Sequence, residues 1–151
     1  MKAWYEIDNI DQHDTPALVV FPDRVQFNID QAIKMVGTAS RLRPHIKTHK
    51  SPDVVAKMMQ SGITKFKCAT IAEAEILGLA KAKDVLLAYQ PLGPKLDRFI
   101  TLIKTYPSTQ FACLVENEMV LTQMADKASQ HNLTLKLFLD INVGMNRTGI
   151  A

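Results

Sequence analysis

Hydrophobic residues recur along the chain at two spacings, one typical of helices and one of short strands. In the first helical stripe, Val25, Ile29, Ile33 and Val36 follow one another at three or four residues, and Gly37 ends the pattern. This stripe predicts an amphipathic helix that stops at the glycine. Similar stripes predict further helices at residues 54–59, 71–80, 96–103 and 120–128.

Short apolar runs lie between these stripes and predict strands. They occupy the segment through Arg43 and His45 and residues 15–21, 65–69, 84–89, 110–115 and 134–141. Strands that are apolar on both faces and alternate with helices predict a parallel sheet covered by helices. A doubly wound sheet and a closed barrel of eight strand-helix units both fit. A barrel needs roughly 250 residues, so we expect this chain to hold only its first part, up to the strand that ends near Ile141.

Composition and charge narrow the class of protein. Hydrophobic residues make up 47% and charged residues 22% of the chain, which excludes a disordered protein. The apolar runs are too short to cross a membrane, and a net charge of +3 spread along the chain gives little support to nucleic-acid binding. Acids within residues 1–8 interrupt the apolar core that a signal peptide needs, so we expect a cytoplasmic protein. Cys68 and Cys113 lie in apolar strands, and we expect both to be reduced and buried.

Candidate chemistry is densest in residues 41–52, which contain two arginines, two histidines and two lysines. The Ser-Pro pair that closes this segment predicts a helix start, because Ser caps free amides and Pro fits the first helical position. If residues 45–49 stay extended, the two-residue period of a strand places His45, Lys47 and His49 on one face. That face would hold an amine between two imidazoles.

Functional side chains of a parallel sheet gather at the carboxyl ends of its strands. The predicted strand ends are polar throughout, with His45, Lys47, Thr48, His49, Thr70, Tyr89, Gln90, Glu116, Asn117, Asp140, Asn142 and Arg147. A partly desolvated lysine flanked by cations is a candidate amine nucleophile toward a carbonyl. The commonest carbonyl partner of such a lysine is pyridoxal 5'-phosphate, whose phosphate would bind at helix N-termini.

Several sequence blocks, taken in their order, resemble the D-threonine aldolase and D-serine dehydratase-like family. Members of this family share the alanine racemase-type fold, fold type III, of pyridoxal phosphate enzymes. The most specific block is Leu42–Ser51, which reads Leu-Arg-Pro-His-Ile-Lys-Thr-His-Lys-Ser. The other blocks are Asp14–Leu18, Ala72–Glu75, Tyr89–Pro94 and Asp140–Gly149.

The resemblance implies roles for residues within these blocks. Lys47 would form the Schiff base with pyridoxal phosphate, and Arg147 would reach the cofactor's phenolic oxygen. His45, Gln90 and Asp140 would support the cofactor from neighbouring strand ends.

The resemblance also implies a domain plan. Residues 22–151 would form the first part of a (β/α)8 TIM-type barrel of the alanine racemase N-terminal type. Residues 1–21 would supply a strand to a C-terminal β domain. The rest of the barrel, that β domain, the phosphate-binding loops, the second acid/base and the ligands of any divalent metal would lie beyond residue 151. A homodimer is expected.

The implied activity is cleavage of β-hydroxy D-amino acids to glycine and an aldehyde, as in a D-threonine aldolase. A D-serine dehydratase, an amino-acid racemase and a non-catalytic pyridoxal phosphate-binding protein of the same fold remain alternatives. A non-enzymatic α/β domain, whose basic cluster binds phosphate or a protein, is a further one.

Individual residues also have second interpretations. Lys50 competes with Lys47 as the attaching lysine, although it lies at the helix entry rather than on the predicted inward face. The two histidines of the segment could belong to a zinc site, although no Cys or carboxylate lies near them in the sequence. Arg147 could instead pair with Asp140 to hold a loop.

Overall fold

The computed structural model describes residues 3–151; residues 1 and 2 of the predicted N-terminal segment lie outside this range. Helices and strands alternate along the chain. The helices are α1 Pro22–Val36, α2 Pro52–Gln60, α3 Ile71–Leu79, α4 Pro94–Thr105 and α5 Glu118–Gln130. The strands are β1 Lys65–Cys68, β2 Asp84–Leu87, β3 Gln110–Val115 and β4 Lys136–Leu139. Short 3-10 turns lie at Ile10–Gln12, Ala39–Arg41 and Ile46–Thr48.

The strands form one parallel sheet whose spatial order follows the chain, β1-β2-β3-β4. Across the sheet, Lys67 lies beside Leu86, which lies beside Ala112, which lies beside Lys136. A doubly wound sheet reverses its strand order at a switch point, and the strands of residues 3–151 show no reversal. Of the two predicted arrangements, the sheet is therefore built as a segment of a barrel.

The helix ends follow the sequence signals. Gly37 ends α1 with a left-handed φ of 85°, a conformation that glycine adopts without strain. Ser51 caps α2, because its Oγ accepts the Val54 N–H at 3.3 Å, and Pro52 takes the first helical position. No helix within residues 3–151 has both the length and the apolar character needed to cross a bilayer.

The hydrophobic core lies on the helix-covered face of the sheet. Along β1 and β2, buried side chains alternate with half-buried ones. The fully buried residues of the core include Phe66, Cys68, Leu77, Val85, Phe99 and Cys113. The intervening positions on the opposite face include Lys65, Lys67, Asp84, Gln110 and Lys136. The prediction that the strands are apolar on both faces therefore holds only in part, because the second face mixes charged and amide side chains with apolar ones such as Leu86 and Ala112.

Two of the charged side chains of this second face, Asp84 and Lys136, share an ion-pair network with Arg43. Arg43 donates two hydrogen bonds to the Asp84 carboxylate, at 2.7 and 3.0 Å. The Lys136 Nζ lies 3.6 Å from the same carboxylate and donates to Gln110 Oε1 at 2.8 Å. The Arg43 hydrogen bonds, more than any other effect, hold the pKa of Asp84 below its ordinary value. The pairing explains how a half-buried strand face accommodates these charges.

The predicted strand at residues 15–21 is not formed. A strand needs a neighbouring backbone for its N–H and C=O groups, and within residues 3–151 this segment has no such partner. Its assignment to a C-terminal β domain stays a prediction.

The predicted strand through Arg43 and His45 is reduced to a single parallel bridge, from His45 to Lys67. The Lys67 N–H donates to the Pro44 carbonyl at 2.9 Å. Proline has no N–H to return to a ladder, and the chain turns into the 3-10 helix Ile46–Thr48 directly afterwards.

Strand β4 forms an edge of the sheet. Its apolar side chains are more exposed than those of the inner strands, with Phe138 at 39% and Leu139 at 59%. Ile141, just after the strand, is 58% exposed. At this edge, exposed apolar side chains therefore lie beside backbone N–H and C=O groups that no neighbouring strand of residues 3–151 pairs.

Candidate active site

The segment that carries Lys47 folds as a tight turn. Residues 46–48 form one turn of 3-10 helix, and the His45 ring caps it, because its Nδ1 accepts the Lys47 N–H at 3.2 Å. Ile46 is fully buried and anchors the turn in the core. The prediction that His45, Lys47 and His49 share one strand face is wrong, since a 3-10 turn repeats every three residues rather than every two.

The two lysines of this segment differ in what their amines contact. The Lys50 Nζ donates to the Lys47 carbonyl oxygen at 2.8 Å and lies 3.6 Å from a carboxylate oxygen of Glu73. Lys47 is exposed, and its Nζ makes no hydrogen bond or ion pair with another of residues 3–151. The Lys47 amine therefore has no partner within residues 3–151, whereas the Lys50 amine contacts the turn and Glu73.

Glu73 places a negative charge beside this turn. It is only 3% exposed, at the start of α3. Its N–H donates to Thr70 Oγ1 at 3.1 Å, and its Oε2 accepts the Ala69 N–H at 2.8 Å. Thr70 and Glu73 have the spacing of a capping box, and one of its two bonds is formed, from the Glu73 N–H to Thr70. The Glu73 carboxylate accepts the Ala69 N–H where a capping box would use the Thr70 N–H. The other carboxylate oxygen faces Lys50, so the helix cap and the lysine turn share one buried carboxylate.

The His45 ring is biased toward its neutral form. Burial lowers its pKa most, and the positive charges of Lys47 and Lys67 lower it further. The Glu73 carboxylate and a hydrogen bond with the Lys67 backbone act in the opposite direction. A neutral imidazole can accept a proton, and this ring is joined to Lys47 through the Lys47 backbone N–H.

His49 belongs to a different region of the molecule. Its Nδ1 accepts the Ser51 N–H at 3.0 Å, and burial lowers its pKa. The ring lines an apolar cavity of about 470 Å³ between the N-terminal segment, α1 and α2. Within residues 3–151, no three His, Cys, Asp or Glu side chains lie close enough together to hold a metal ion. His49 is therefore not a partner of His45 in this structure.

A second cavity, of about 590 Å³, lies at the carboxyl ends of β2, β3 and β4. Gln90 and Arg147 both line it, together with Glu116 and Asn142. Lys47 is not among its lining residues. The structure thus brings two predicted cofactor contacts into one cavity and leaves the lysine turn beside the end of β1.

The loop that carries Arg147 is organised by Asn142. The Asn142 Oδ1 accepts the N–H groups of Gly144 and Asn146, both at 3.1 Å, and its Nδ2 donates to Asn146 Oδ1 at 3.0 Å. Its backbone N–H donates to the Ile150 carbonyl at 2.8 Å. These bonds close the loop and leave Arg147 exposed at the cavity.

Glu116 joins this loop to the end of β3. Its N–H donates to Gln90 Oε1 at 2.8 Å, and its carboxylate accepts the Gly149 N–H. Asp140 is half-buried and is fixed by its backbone, whose N–H donates to the Val115 carbonyl at 2.9 Å. Its carboxylate makes no ion pair with Arg147 in the described chain, so the structure does not support the pairing of these two residues.

Comparison with known proteins shows the family. The family described as alanine racemase, N-terminal domain, matches residues 20–151. The chain belongs to this family. This confirms the fold predicted from the resemblance, an α/β barrel of the alanine racemase N-terminal type of which the chain contains a part.

Relatives of this alanine racemase-type chain include lyases of two kinds. It is 33% identical over 144 residues to a 3-hydroxy-D-aspartate aldolase of Paracoccus denitrificans. It is 28% identical over 139 residues to a D-threo-3-hydroxyaspartate dehydratase of Delftia sp.. In both comparisons the match covers 91% of this chain and 36% of the relative, so the chain spans little more than a third of the length of these relatives.

Solved structures agree with the family assignment. D-threonine aldolase from Filomicrobium marinum superposes with a TM-score of 0.80 at 27% identity, over 91% of this chain and 37% of that one. An alanine racemase-like protein from Idiomarina loihiensis gives 0.81 at 27% identity, over 95% and 38%. The four-stranded sheet and its helices are therefore the arrangement that these longer chains also contain.

Two carboxylates of the candidate site were not predicted to act there. The sequence identifies Glu73 only as a helix cap and Glu116 only as a polar strand end. Their contacts with Lys50 and Gly149 join residues 23 and 33 positions apart, and no local spacing signals such pairs. The common signal is position, because both follow a strand directly or within one turn of the next helix.

Proposed function

We propose that this chain provides the lysine-bearing part of a pyridoxal phosphate-dependent lyase that acts on β-hydroxy D-amino acids. The observation that carries the proposal is the contrast between the two amines of the turn. The Lys50 amine is held by the Lys47 carbonyl and Glu73, while the Lys47 amine has no such partner within residues 3–151 and the His45 ring accepts the Lys47 backbone N–H. The family supports the same choice of fold and site.

The residues present fit an anionic aldehyde such as pyridoxal phosphate. A free primary amine at Lys47 can bind the aldehyde covalently. The exposed guanidinium of Arg147 can bind an anionic oxygen, and Gln90 offers an amide in the same cavity. His45 and Asp140 complete the proposed set at neighbouring strand ends.

When bound, the cofactor supplies an electron sink for the pair of electrons left at the substrate α-carbon. The residues of this chain position and move protons. The Lys47 amine takes up or returns a proton at the α-carbon, and His45 fixes the turn through its Nδ1. The Arg147 guanidinium would bind an anionic oxygen of the cofactor at the cavity.

The first candidate reaction is aldol cleavage, in which the bond between the α- and β-carbons breaks and the β-hydroxyl loses its proton, giving glycine and an aldehyde. The second candidate is dehydration, in which the α-carbon loses its proton and the β-hydroxyl leaves as water, and hydrolysis of the product then gives a 2-oxo acid and ammonia. Both are supported by relatives, an aldolase at 33% identity and a dehydratase at 28%. One related dehydratase structure is described as a metal-free form, which supports including a divalent metal in the assays. The ligands of such a metal would lie outside residues 3–151.

Borohydride trapping tests the cofactor and the lysine together. Protein expressed from the complete gene is loaded with pyridoxal phosphate, reduced with borohydride, digested, and mapped by mass for a pyridoxyl group. We expect the group on Lys47, retained in Lys50→Met and absent in Lys47→Met. A pyridoxyl group on Lys50, or none on loaded full-length protein, would contradict the proposal.

The reaction is tested with two substrates, D-threonine and D-threo-3-hydroxyaspartate. Glycine and an aldehyde would identify cleavage, whereas a 2-oxo acid and ammonia would identify dehydration. If neither substrate is consumed by protein that forms the pyridoxyl group on Lys47, both lyase assignments are wrong, although the cofactor site stands.

A further inference from the structure

We propose that Glu116 is a positioning residue that fixes the Arg147 loop against the end of β3. The inference rests on the proposed function, in which Arg147 binds the cofactor. It adds a residue whose side chain acts through the loop rather than by touching the cofactor.

The contacts of Glu116 run in two directions. Toward β2, its backbone N–H donates to Gln90 Oε1 at 2.8 Å. Toward the loop, its carboxylate accepts the Gly149 N–H, two residues after Arg147. Glu116 is half-buried, and a hydrogen bond to a carboxylate that is partly shielded from water is stronger than one between neutral groups.

Gly149 is the residue through which Glu116 can hold the loop. Its φ is +96°, and a Cβ built on it would lie 2.6 Å from the Asn142 backbone nitrogen. Real side chains do not tolerate such a distance, so the loop can close only with glycine at this position. The close approach presents the Gly149 N–H to the Glu116 carboxylate.

Two sets of hydrogen bonds therefore hold the loop, one within it and one to another strand end. Asn142 closes it from within, through bonds to Gly144 and Asn146. Of the residues named here, only Glu116 joins the loop to the end of another strand. Because Glu116 also bonds Gln90, it links Gln90 with Arg147, the two predicted cofactor contacts that line the 590 Å³ cavity. Without Glu116, we expect the loop to keep its local shape but to move relative to Gln90.

Hydrogen exchange of the full-length protein tests this directly. In Glu116→Ala we expect the Gly149 amide, followed in peptides that cover residues 142–149, to exchange about tenfold faster, the scale of one lost hydrogen bond to a charged group. Glu116→Gln keeps an acceptor oxygen and should lie between wild type and the alanine variant. Glu118→Ala, which removes the same charge two residues away at the exposed start of α5, should leave the loop unchanged.

A second readout is the dissociation constant of pyridoxal phosphate in Glu116→Ala, Arg147→Met and the double variant. If Glu116 acts through Arg147, the single losses will not add, because removing the guanidinium removes what the carboxylate positions. A merely structural role would give additive losses. We expect the double variant to bind within about twofold of Arg147→Met.

Loop exchange in Glu116→Ala equal to wild type would overturn the proposal, and so would Glu116→Gln exchanging as fast as Glu116→Ala. Additive losses of affinity would overturn it as well. Failure of the proposed function shows separately, as absence of a pyridoxyl group on Lys47 in the wild-type protein, whereas loop exchange needs no cofactor.

Discussion

Arg43 binds Asp84 through two donors, at 2.7 and 3.0 Å, across 41 positions of the chain. A third bond, from Arg43 to the Phe66 carbonyl at 3.3 Å, reaches the neighbouring strand. The residue that leads into the lysine turn is therefore held on both β1 and β2. This contact fixes the base of the turn, while Ile46 anchors its middle.

Replacing Arg43 by Lys should destabilise the fold, because a lysine cannot reproduce the two-donor geometry. We expect a loss of about 2 kcal/mol in the free energy of unfolding, on the scale of a hydrogen bond to a charged group. Urea unfolding measures it. The matched control is Arg41→Lys, at an exposed residue whose side chain has one bond to the Val36 carbonyl, and a loss as large there would contradict the assignment.

The same ion pair predicts an acid dependence. The pKa of Asp84 is held below its ordinary value, chiefly by the Arg43 hydrogen bonds. A depressed carboxyl pKa contributes stability that is complete above the unfolded-state pKa, about 4, and is lost as pH falls through the folded-state pKa. We expect the free energy of unfolding of wild type to exceed that of Asp84→Asn at pH 7. At pH 3 this difference should be smaller. A constant gap between them would refute this.

Replacing Glu73 by Gln should lower the pKa of His45 further. The carboxylate raises that pKa while burial, Lys47 and Lys67 lower it, so removing the negative charge leaves only the hydrogen bond with the Lys67 backbone to oppose the lowering effects. A glutamine oxygen can still accept the Ala69 N–H, so the helix cap is kept. NMR titration of the His45 ring is the measurement, with exposed Glu75→Gln in the same helix as control. An upward shift in Glu73→Gln would contradict the geometry.

Gly78 is the penultimate residue of α3, and replacing a helical glycine by alanine ordinarily stabilises a helix, by up to about 1 kcal/mol. Here an added Cβ would meet two ring carbons of Tyr106 at 2.7 Å, so we expect Gly78→Ala to destabilise instead. The change in melting temperature shows whether Gly78→Ala stabilises or destabilises the protein. Adding Tyr106→Ala should remove the clash, and the cost of Gly78→Ala measured in that background should then fall or reverse.

Cys68 and Cys113 should be unreactive in the folded protein. Burial raises the pKa of both thiols to about 12, with a smaller contribution from Glu73 at Cys68. The thiolate is the reactive form, so a disulfide reagent should modify neither residue at pH 8 until denaturant is added. Rapid labelling of the native protein would show that one of them is accessible.

Much of the fold follows from local signals in the sequence. Gly37, Ser51 and the Thr70 cap mark helix ends through bonds that span three or four residues, and the structure keeps each of them. The pattern failed in the segment through Arg43 and His45, where it predicted a strand although a proline lies within it. Pro44 breaks the ladder, and the bridge from His45 to Lys67 replaces the strand that the apolar run predicted.

The candidate site shows the same division. The sequence and the resemblance identify Lys47 and Arg147 as candidates, and their roles stay predictions that the experiments above test. The charges around them could not be read from spacing, because Glu73 and Glu116 reach their partners only after the chain has folded. The paired charges on the second face of the sheet were also missed, since an Arg and an Asp 41 positions apart carry no periodicity.

The exposed edge of β4 has a practical consequence for handling this sequence. An edge strand offers its unpaired backbone groups to any other strand, and here the neighbouring side chains are Phe138, Leu139 and Ile141, all well exposed. Residues 3–151 produced alone would expose this apolar strand edge. We expect them to form inclusion bodies on expression or soluble aggregates when concentrated. Charged substitutions at Leu139 and Ile141 would be the direct route to a monodisperse sample.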